Sequence, residues 1–335
     1  MTQGGPQSQS LSAKKAESQR PFHGQMILDD PNVGFLFRHR AKVLLADLKA
    51  LESRGVSFSP FLEIGAGSVH RSAALTNNYP AVGVATDISQ RSLQDTPYTL
   101  TLLDVEQAPL LICCDAHHLP FLPNSFQFVF AYQTLHHFEN PVPVLTECHR
   151  VLGQGGHLFL SEEPMDSALR RLLRGQRTFS DPLTPMQKLG TRLGVHTIFW
   201  QDGAPERSLG MTEARFEIDL WRKALQPFKI VDVEVNRRFK IHSDLHKPFL
   251  NAVLSGFIGG NVKGLCQKTE GQVVAGDLHE RLLCVDCSST RLSRVDDSQL
   301  ICNNCAREYP MVAGLIRMLP KQLEIELYQA GNHVG

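Results

Sequence analysis

Apolar residues recur along the first half of the chain in two alternating rhythms. From Phe35 to Leu51, the positions Phe35, Phe37, Val43, Leu44, Leu48 and Leu51 fall near helical spacing, which predicts a helix leading into the first strand. Short apolar runs follow: Phe61–Ile64 ending in Gly65-Ala66-Gly67, Ala81–Thr86 ending at Asp87, Leu110–Cys114 ending at Asp115, Phe126–Ala131, and His157–Ser161 after a turn at Gly153-Gln154-Gly155-Gly156. Helical stretches fill the gaps, Pro143–Val151 among them. Short buried strands alternating with helices predict an open, doubly wound, mostly parallel α/β sheet. Ligands of such sheets bind outside the carboxyl ends of the strands. Here those ends carry Glu63 to Gly67, Asp87, Asp115 and Ala131 to His137.

After Pro164 the rhythm loosens. Residues 165–225 read as a helical insertion or lid, 229–236 alternate like a strand, and 256–268 fit a last strand. Residues 275–325 read as a separate cysteine-bearing module, and residues 1–24, rich in Gln, Ser, Lys and Gly, as a disordered tail. The main domain then spans 25–270.

Composition narrows the function classes. Apolar residues make up 42% of the 335, enough for a substantial core. Lys+Arg and Asp+Glu are 34 each, so a global polyanion-binding surface is disfavoured, while a local basic patch is not. No apolar run approaches the roughly 18 residues of a membrane span, and the first residues lack the apolar centre of a secretory signal. The eight cysteines are Cys113, Cys114, Cys148, Cys266, Cys284, Cys287, Cys302 and Cys305. With the last four in two C-x-x-C pairs, they read as a reduced, cytoplasmic compartment and a metal site rather than as disulfides. Cys148 and Cys266 read as core residues. Cys113 and Cys114 are strand neighbours on opposite faces, unsuited to ligating one ion.

The loop FLEIGAGS, Phe61 to Ser68, follows a strand and opens a helix. Glycine is needed where backbone approaches a ligand or takes positive φ, and the helix start beyond offers free N–H groups to an anion. Asp87 lies 20 residues after Gly67, where a carboxylate can accept both hydroxyls of a ribose. A dinucleotide fingerprint wants a third small residue where this chain has His70, and Asp115-Ala116 adds an acidic group at the third strand end. The set Glu63-x-Gly65-x-Gly67, Asp87 and Asp115, continued through Phe128 to His137 (FVFAYQTLHH) and His149 to Pro164 (HRVLGQGGHLFLSEEP), resembles the class I S-adenosylmethionine-dependent methyltransferases acting on small molecules. The resemblance covers about residues 58–164, with weaker support from 229–268. It implies a Rossmann-like, seven-stranded methyltransferase sheet with S-adenosylmethionine as cofactor. Gly65 and Gly67, with Ala66 between them, would approach its methionine part and Glu63 its ammonium. Asp87 would hold the ribose hydroxyls, Asp115 and Ala116 would meet the adenine, and Ala131 and Gln133 would lie near the sulfonium.

Methyl transfer from a sulfonium is an in-line displacement, so the protein mainly positions the acceptor and excludes water. A hydroxyl acceptor also needs a base, and His136 and His137 follow the fourth strand where the acceptor belongs. His117 and His118, after the third strand, are the alternative pair. For either pair the plainer reading is a histidine that shapes a loop by hydrogen bonding.

Cys284-x2-Cys287-x14-Cys302-x2-Cys305 has the spacing of a tetrahedral zinc site, each pair offering two thiolates from one turn with a hairpin between. Four thiolates close the site, so zinc there folds the module rather than catalysing. Its surroundings, LLCVDC and LICNNCAREYPMVAGLIRMLP, resemble the zinc-ribbon activator subunit of tRNA and release-factor methyltransferases. That likeness implies a module that packs on a catalytic domain, here in cis, and leaves a protein partner open.

Ala168 to Arg177 (ALRRLLRGQR) reads as a basic amphipathic helix, either a lid helix with solvated arginines or a site for peripheral membrane contact or phosphates. Trp200, Trp221, Phe179, Phe199 and Phe216 either form the core of that lid or line an apolar acceptor pocket. The sequence thus reads as a methyltransferase of a small-molecule, lipid or glycan-precursor acceptor. A methyltransferase of RNA or protein is the alternative, with nucleic acid disfavoured by the neutral charge and by the lack of Asn/Asp-Pro-Pro-Tyr at AYQTLHH. A non-catalytic scaffold is the third reading.

Overall fold

A computed structural model of the chain describes residues 11, 14–15, 33–166, 214–236, 241–242, 257, 260–272 and 276–329. The basic helix at 168–177, most of the 1–24 tail and most of the lid, with Phe179, Phe199 and Trp200, lie outside the described residues. The chain divides into two compact units, one built of 14–130, 147–157 and 268–335, the other of 1–13, 131–146 and 158–267.

The larger unit begins with α1 (Val33–Glu52), the predicted first helix, which buries Phe37, Leu44, Leu48 and Leu51 along one face. Then come β1 (Phe61–Ile64), α2 (His70–Asn78), β2 (Gly83–Asp87), α3 (Gln90–Gln94), α4 (Thr96–Leu103) and β3 (Leu110–Cys113). β4 (Phe126–Tyr132) carries the chain into the other unit, and α5 (Pro141–Val151) brings it back. β5 (Leu152–Met165), α6 (Ile218–Leu225), β6 (Lys229–Asn236), β7 (Ile241–His242) and β8 (Gly260–Gln267) follow. The cysteine module supplies β9 (Leu292–Asp296), β10 (Gln299–Cys302), β11 (Glu308–Val312), β12 (Leu315–Arg317) and α7 (Lys321–Glu324), ending in a π-helical turn, Ile325–Gln329.

The doubly wound, parallel-rich α/β fold stands as read from the sequence. β1 pairs in parallel with β2, and β2 with β3, in a register that sets Asp87 beside Cys113. β1 is buried along its whole length and β2 for all but its last residue, as strands covered on both faces should be. Gly83 is required here because a Cβ would enter the Phe61 ring. In the other unit, β6 lies antiparallel between β8 and β7.

One expectation changes. The turn placed at 153–156 is part of β5. The Gly155 amide donates to the Lys268 carbonyl and the Lys268 amide to the Gly156 carbonyl, both at 2.9 Å, so the glycine run pairs alongside extended backbone instead of reversing. The Lys268 ammonium caps the carbonyls of His149 and Leu152, both at 2.8 Å, at the end of α5.

The cysteine module is not a free appendage. β12 joins β3 in parallel, pairing Leu315 with Leu111 and Arg317 with Cys113, and β11, β10 and β9 continue the sheet antiparallel. Leu315, Leu319 and Leu327 share one buried cluster with Ala66, Val69, Ala85, Leu93 and Cys113. The entry to the module is pinned as well. The Leu283 amide donates to the Pro120 carbonyl at 3.0 Å, the Leu122 amide to the Arg281 carbonyl at 2.8 Å, and the buried Arg281 guanidinium to the Ser125 carbonyl.

Candidate active site and metal centre

The glycine loop takes the backbone its composition suggested. Gly65 and Gly67 have φ of 65° and 54°, in the left-handed region that glycine enters at little cost. Val69 follows at φ 66°, a conformation that strains a β-branched residue by about 1–3 kcal/mol. His70 starts α2 with its ring stacked on Phe37 of α1, the centroids 4.9 Å apart, and its Nδ1 3.1 Å from the Ser68 hydroxyl. The bulk that a glycine would avoid is thus turned onto α1. Burial pushes the His70 pKa well down, so the ring stays neutral.

Asp87, at the end of β2, faces this loop. Its Oδ2 accepts the Gly67 amide at 2.8 Å and its Oδ1 the Ser89 amide at 2.8 Å. The glycine turn and the carboxylate expected to hold a ribose are therefore locked together. Glu63 is 1% exposed, with Oε2 accepting the Ser72 amide in the first turn of α2 at 3.1 Å. Burial raises its pKa to about 7, against the lowering pull of Ser72 and Arg71.

Asp115 is 2% exposed. Its Oδ1 accepts the amide and Nδ1 of His117 at 3.0 and 2.7 Å, and its Oδ2 is 2.6 Å from the Lys14 ammonium. Burial pushes this carboxyl up, but the hydrogen bonds from His117 and His118 and the nearby charges hold it well below the usual carboxylate range. The hydrogen bond to Asp115 in turn raises the pKa of the exposed His118. His117 and His118 therefore serve Asp115, in keeping with their loop-shaping reading. Ala116 is half-buried beside them. Lys14 lies in the stretch read as a disordered tail, yet it is buried in this ion pair. Its sequence context, a Lys-Lys pair among polar residues, gave no sign of that.

In the other unit, Ala131 is buried and Gln133 exposed, the latter at φ 51° with its amide donating to the Ser161 carbonyl at 3.2 Å. His136 and His137 form one 3₁₀ turn with ring centroids 4.3 Å apart. Glu163, which sequence reasoning passed over, organises this turn. It is fully buried, and its Oε1 accepts the Thr134 and Leu135 amides at 2.7 and 3.0 Å. Its Oε2 accepts the amide and Nδ1 of His136 at 3.2 and 3.0 Å. Burial raises the Glu163 pKa, but His136 and these amides bring it below the ordinary value, so it is ionised. An ionised partner at Nδ1 makes that nitrogen the donor and fixes Nε2 as the proton-accepting one. The only sequence signal was the acidic pair in SEEP, which does not say which glutamate turns inward. The chain returning at Ala214 donates its amide to the His136 carbonyl at 2.7 Å. Phe216 and Trp221, buried and edge to face at 5.7 Å, form core beside it.

The four module cysteines meet. Their sulfurs all lie within 4.8 Å of one another, with Cys284 to Cys305 at 3.5 Å and Cys287 to Cys302 at 3.6 Å. Bonds of about 2.3 Å to a tetrahedral zinc put sulfurs about 3.8 Å apart, so the donor set fits the metal. The Tyr309 hydroxyl donates to the Cys284 sulfur at 3.0 Å and the Asn304 amide to the Cys287 sulfur at 3.5 Å, bonds that favour thiolates. The Asn304 bond leads the pull that brings Cys287 down to about 6. Among the described residues no other cluster could hold a metal, and no helix is long and apolar enough to cross a membrane.

Residues 62–160 match a family described as a methyltransferase domain. That match takes in the glycine loop, Asp87, Asp115 and the turn at His136, and it supports S-adenosylmethionine as the cofactor. A search of curated proteins finds no match. Among solved structures, the complex of the Haloferax volcanii Trm112 methyltransferase activator with a candidate methyltransferase is 14% identical, covering 77% of this chain and all of that one at a TM-score of 0.47. The PH0226 protein of Pyrococcus horikoshii is 15% identical over 73% of this chain and 98% of its own, at 0.46. Geranyl diphosphate C-methyltransferase of Streptomyces coelicolor is 9% identical over 69% of this chain and 75% of its own, at 0.41.

Proposed function

We propose that this methyltransferase domain transfers a methyl group from S-adenosylmethionine to a small-molecule, lipid or glycan-precursor acceptor. The observation that carries the reading is the lock between the Gly65–Gly67 turn and the Asp87 carboxylate, inside the matched segment. Gly65, Ala66 and Gly67 take the methionine part, Glu63 its ammonium, Asp87 the ribose, and Asp115 with Ala116 the adenine. Ala131 and Gln133 are assigned to the sulfonium end by the resemblance alone. When bound, the cofactor supplies a methyl group already activated for displacement. The chain then has to orient the acceptor and, for a hydroxyl, remove its proton. We assign that step to His136 through Nε2, with Glu163 as its positioning residue and His137 beside it. Working boundaries are 25–270 for the catalytic domain and 275–325 for the module. The module is assigned a structural zinc on Cys284, Cys287, Cys302 and Cys305, and a stabilising role in cis.

Calorimetric titration of the zinc-replete protein with S-adenosylmethionine and S-adenosylhomocysteine tests the reading, with Asp87→Ala as control. Saturable binding that the control loses is expected. Absence of binding by the folded protein would overturn it in favour of the scaffold.

A further inference from the structure

The far end of the chain returns to the backbone that follows Asp87. The Tyr328 hydroxyl donates to the Ile88 carbonyl at 2.5 Å and accepts the Gln90 amide at 3.1 Å. Between those two contacts lies Ser89, whose amide orients the Asp87 carboxylate. Arg317, on β12, donates to the Gln90 side-chain oxygen at 2.8 Å and lies over the Tyr328 ring, 5.1 Å from its centroid. The Arg317 guanidinium is itself held at 2.7 Å by Glu324, which is buried and also paired with Arg307 of the module. A phenol that bridges a carbonyl and an amide two residues apart fixes the backbone between them.

We propose that Tyr328 is a positioning residue of the cofactor site, setting the Ile88–Gln90 backbone so that the Ser89 amide presents Asp87 to the ribose, with Arg317 holding the phenol in place. The proposal rests on the cofactor reading of Asp87. It places a determinant of cofactor affinity 241 positions away in sequence, in a segment outside the matched 62–160. The module, with the turn that follows it, thus contributes to the site as well as covering a sheet edge. Its hydrophobic contacts alone, through Leu315, Leu319 and Leu327, would stabilise the domain without touching Asp87.

A double-mutant cycle on the full chain separates these roles. Tyr328→Phe keeps the ring, its packing and the Arg317 contact while removing the hydroxyl's bonds to Ile88 and Gln90 and its 3.7 Å contact with the Cys113 sulfur. S-adenosylhomocysteine affinity should fall about tenfold, the scale of one to two lost hydrogen bonds. Asp87→Asn weakens binding on its own, and adding Tyr328→Phe to it should cost less than a further twofold, because the phenol acts through the carboxylate. Gln90→Ala, which removes the Arg317 contact from the domain side, should give a smaller loss in the same direction and serves if Tyr328→Phe unfolds. Wild-type affinity in Tyr328→Phe, or losses that multiply in the double variant, would overturn the proposal. Either result with wild-type binding intact leaves the cofactor reading standing, whereas no binding by wild type removes the reading itself.

Discussion

Leu319 gives the clearest test of whether the cysteine module and the unit that carries the glycine loop share one core. Its side chain is fully buried in the cluster that contains Ala66 and Val69 of the glycine loop and Leu93 of α3. Leu319→Ala removes three carbons from a site lined by β2, β3 and β12, elements paired on both sides that cannot collapse onto the gap. Loss of transfer energy plus a residual cavity should cost about 2–5 kcal/mol. For a cooperative unit of roughly 200 residues, each kcal/mol lowers Tm by about 2–4 °C, so a drop of about 4–20 °C is expected. Val295→Ala on β9 of the same module removes a side chain that is 57% exposed and should move Tm by less than about 1 °C. The assay is differential scanning calorimetry of the zinc-replete protein. One transition shifted by Leu319→Ala and untouched by Val295→Ala is the expected record. A shift as small as the control's, or two transitions of which only one moves, would refute a shared core.

Two further outcomes follow from buried carboxyls. The folded chain holds the Glu63 proton more tightly than an unfolded one, from 4.5 up to about 7. Its contribution is therefore full below the unfolded value and lost as pH rises through 7, about 3 kcal/mol at 1.36 kcal/mol per pH unit. Denaturant titrations at pH 5 and pH 8 should show that loss in the wild type and not in Glu63→Gln; an equal slope in both would refute it. Glu163 has the opposite sign, depressed in the fold, so its stabilisation is present above the ordinary carboxyl range and fades as pH falls through its lowered value. Glu163→Gln should cut kcat about 10–100-fold by loosening His136, while S-adenosylmethionine Kd changes by less than about twofold. A matching loss of cofactor affinity would place Glu163 on the wrong side of the reaction.

Local rules carried the parts of the fold that local forces set. β1 and β6 have the bounds their apolar patterns gave, because an isolated run of buried or alternating side chains is a property of the segment itself. The glycine loop was legible for the same reason: positive φ at Gly65 and Gly67 is a demand on the residues there. The C-x-x-C pairs were legible because metal geometry constrains spacing. Contacts made at a distance were hidden. Glu163 is one of two adjacent glutamates, and only the pleat of β5 decides which meets the Thr134 and Leu135 amides. Lys14 looks like any lysine in a polar tail until Asp115, 101 positions on, draws it into a buried pair.

His70 shows why a motif rule can fail without the site failing. The third small residue of a glycine fingerprint is wanted where helix and strand pack tightly, and a histidine there should push them apart. Here its ring leaves that interface and stacks on Phe37, while Val69 absorbs a left-handed backbone to make the turn. That strain has to be held by the surroundings, and Val69 is fully buried in the cluster that Leu315, Leu319 and Leu327 complete. Residues of the cysteine module therefore share a buried cluster with the left-handed valine of the glycine loop. On this account the departure from the glycine pattern and the fused module belong together: a loop whose valine takes a left-handed backbone, beside the histidine that replaces the small residue, is held by packing from β12, which lies along β3.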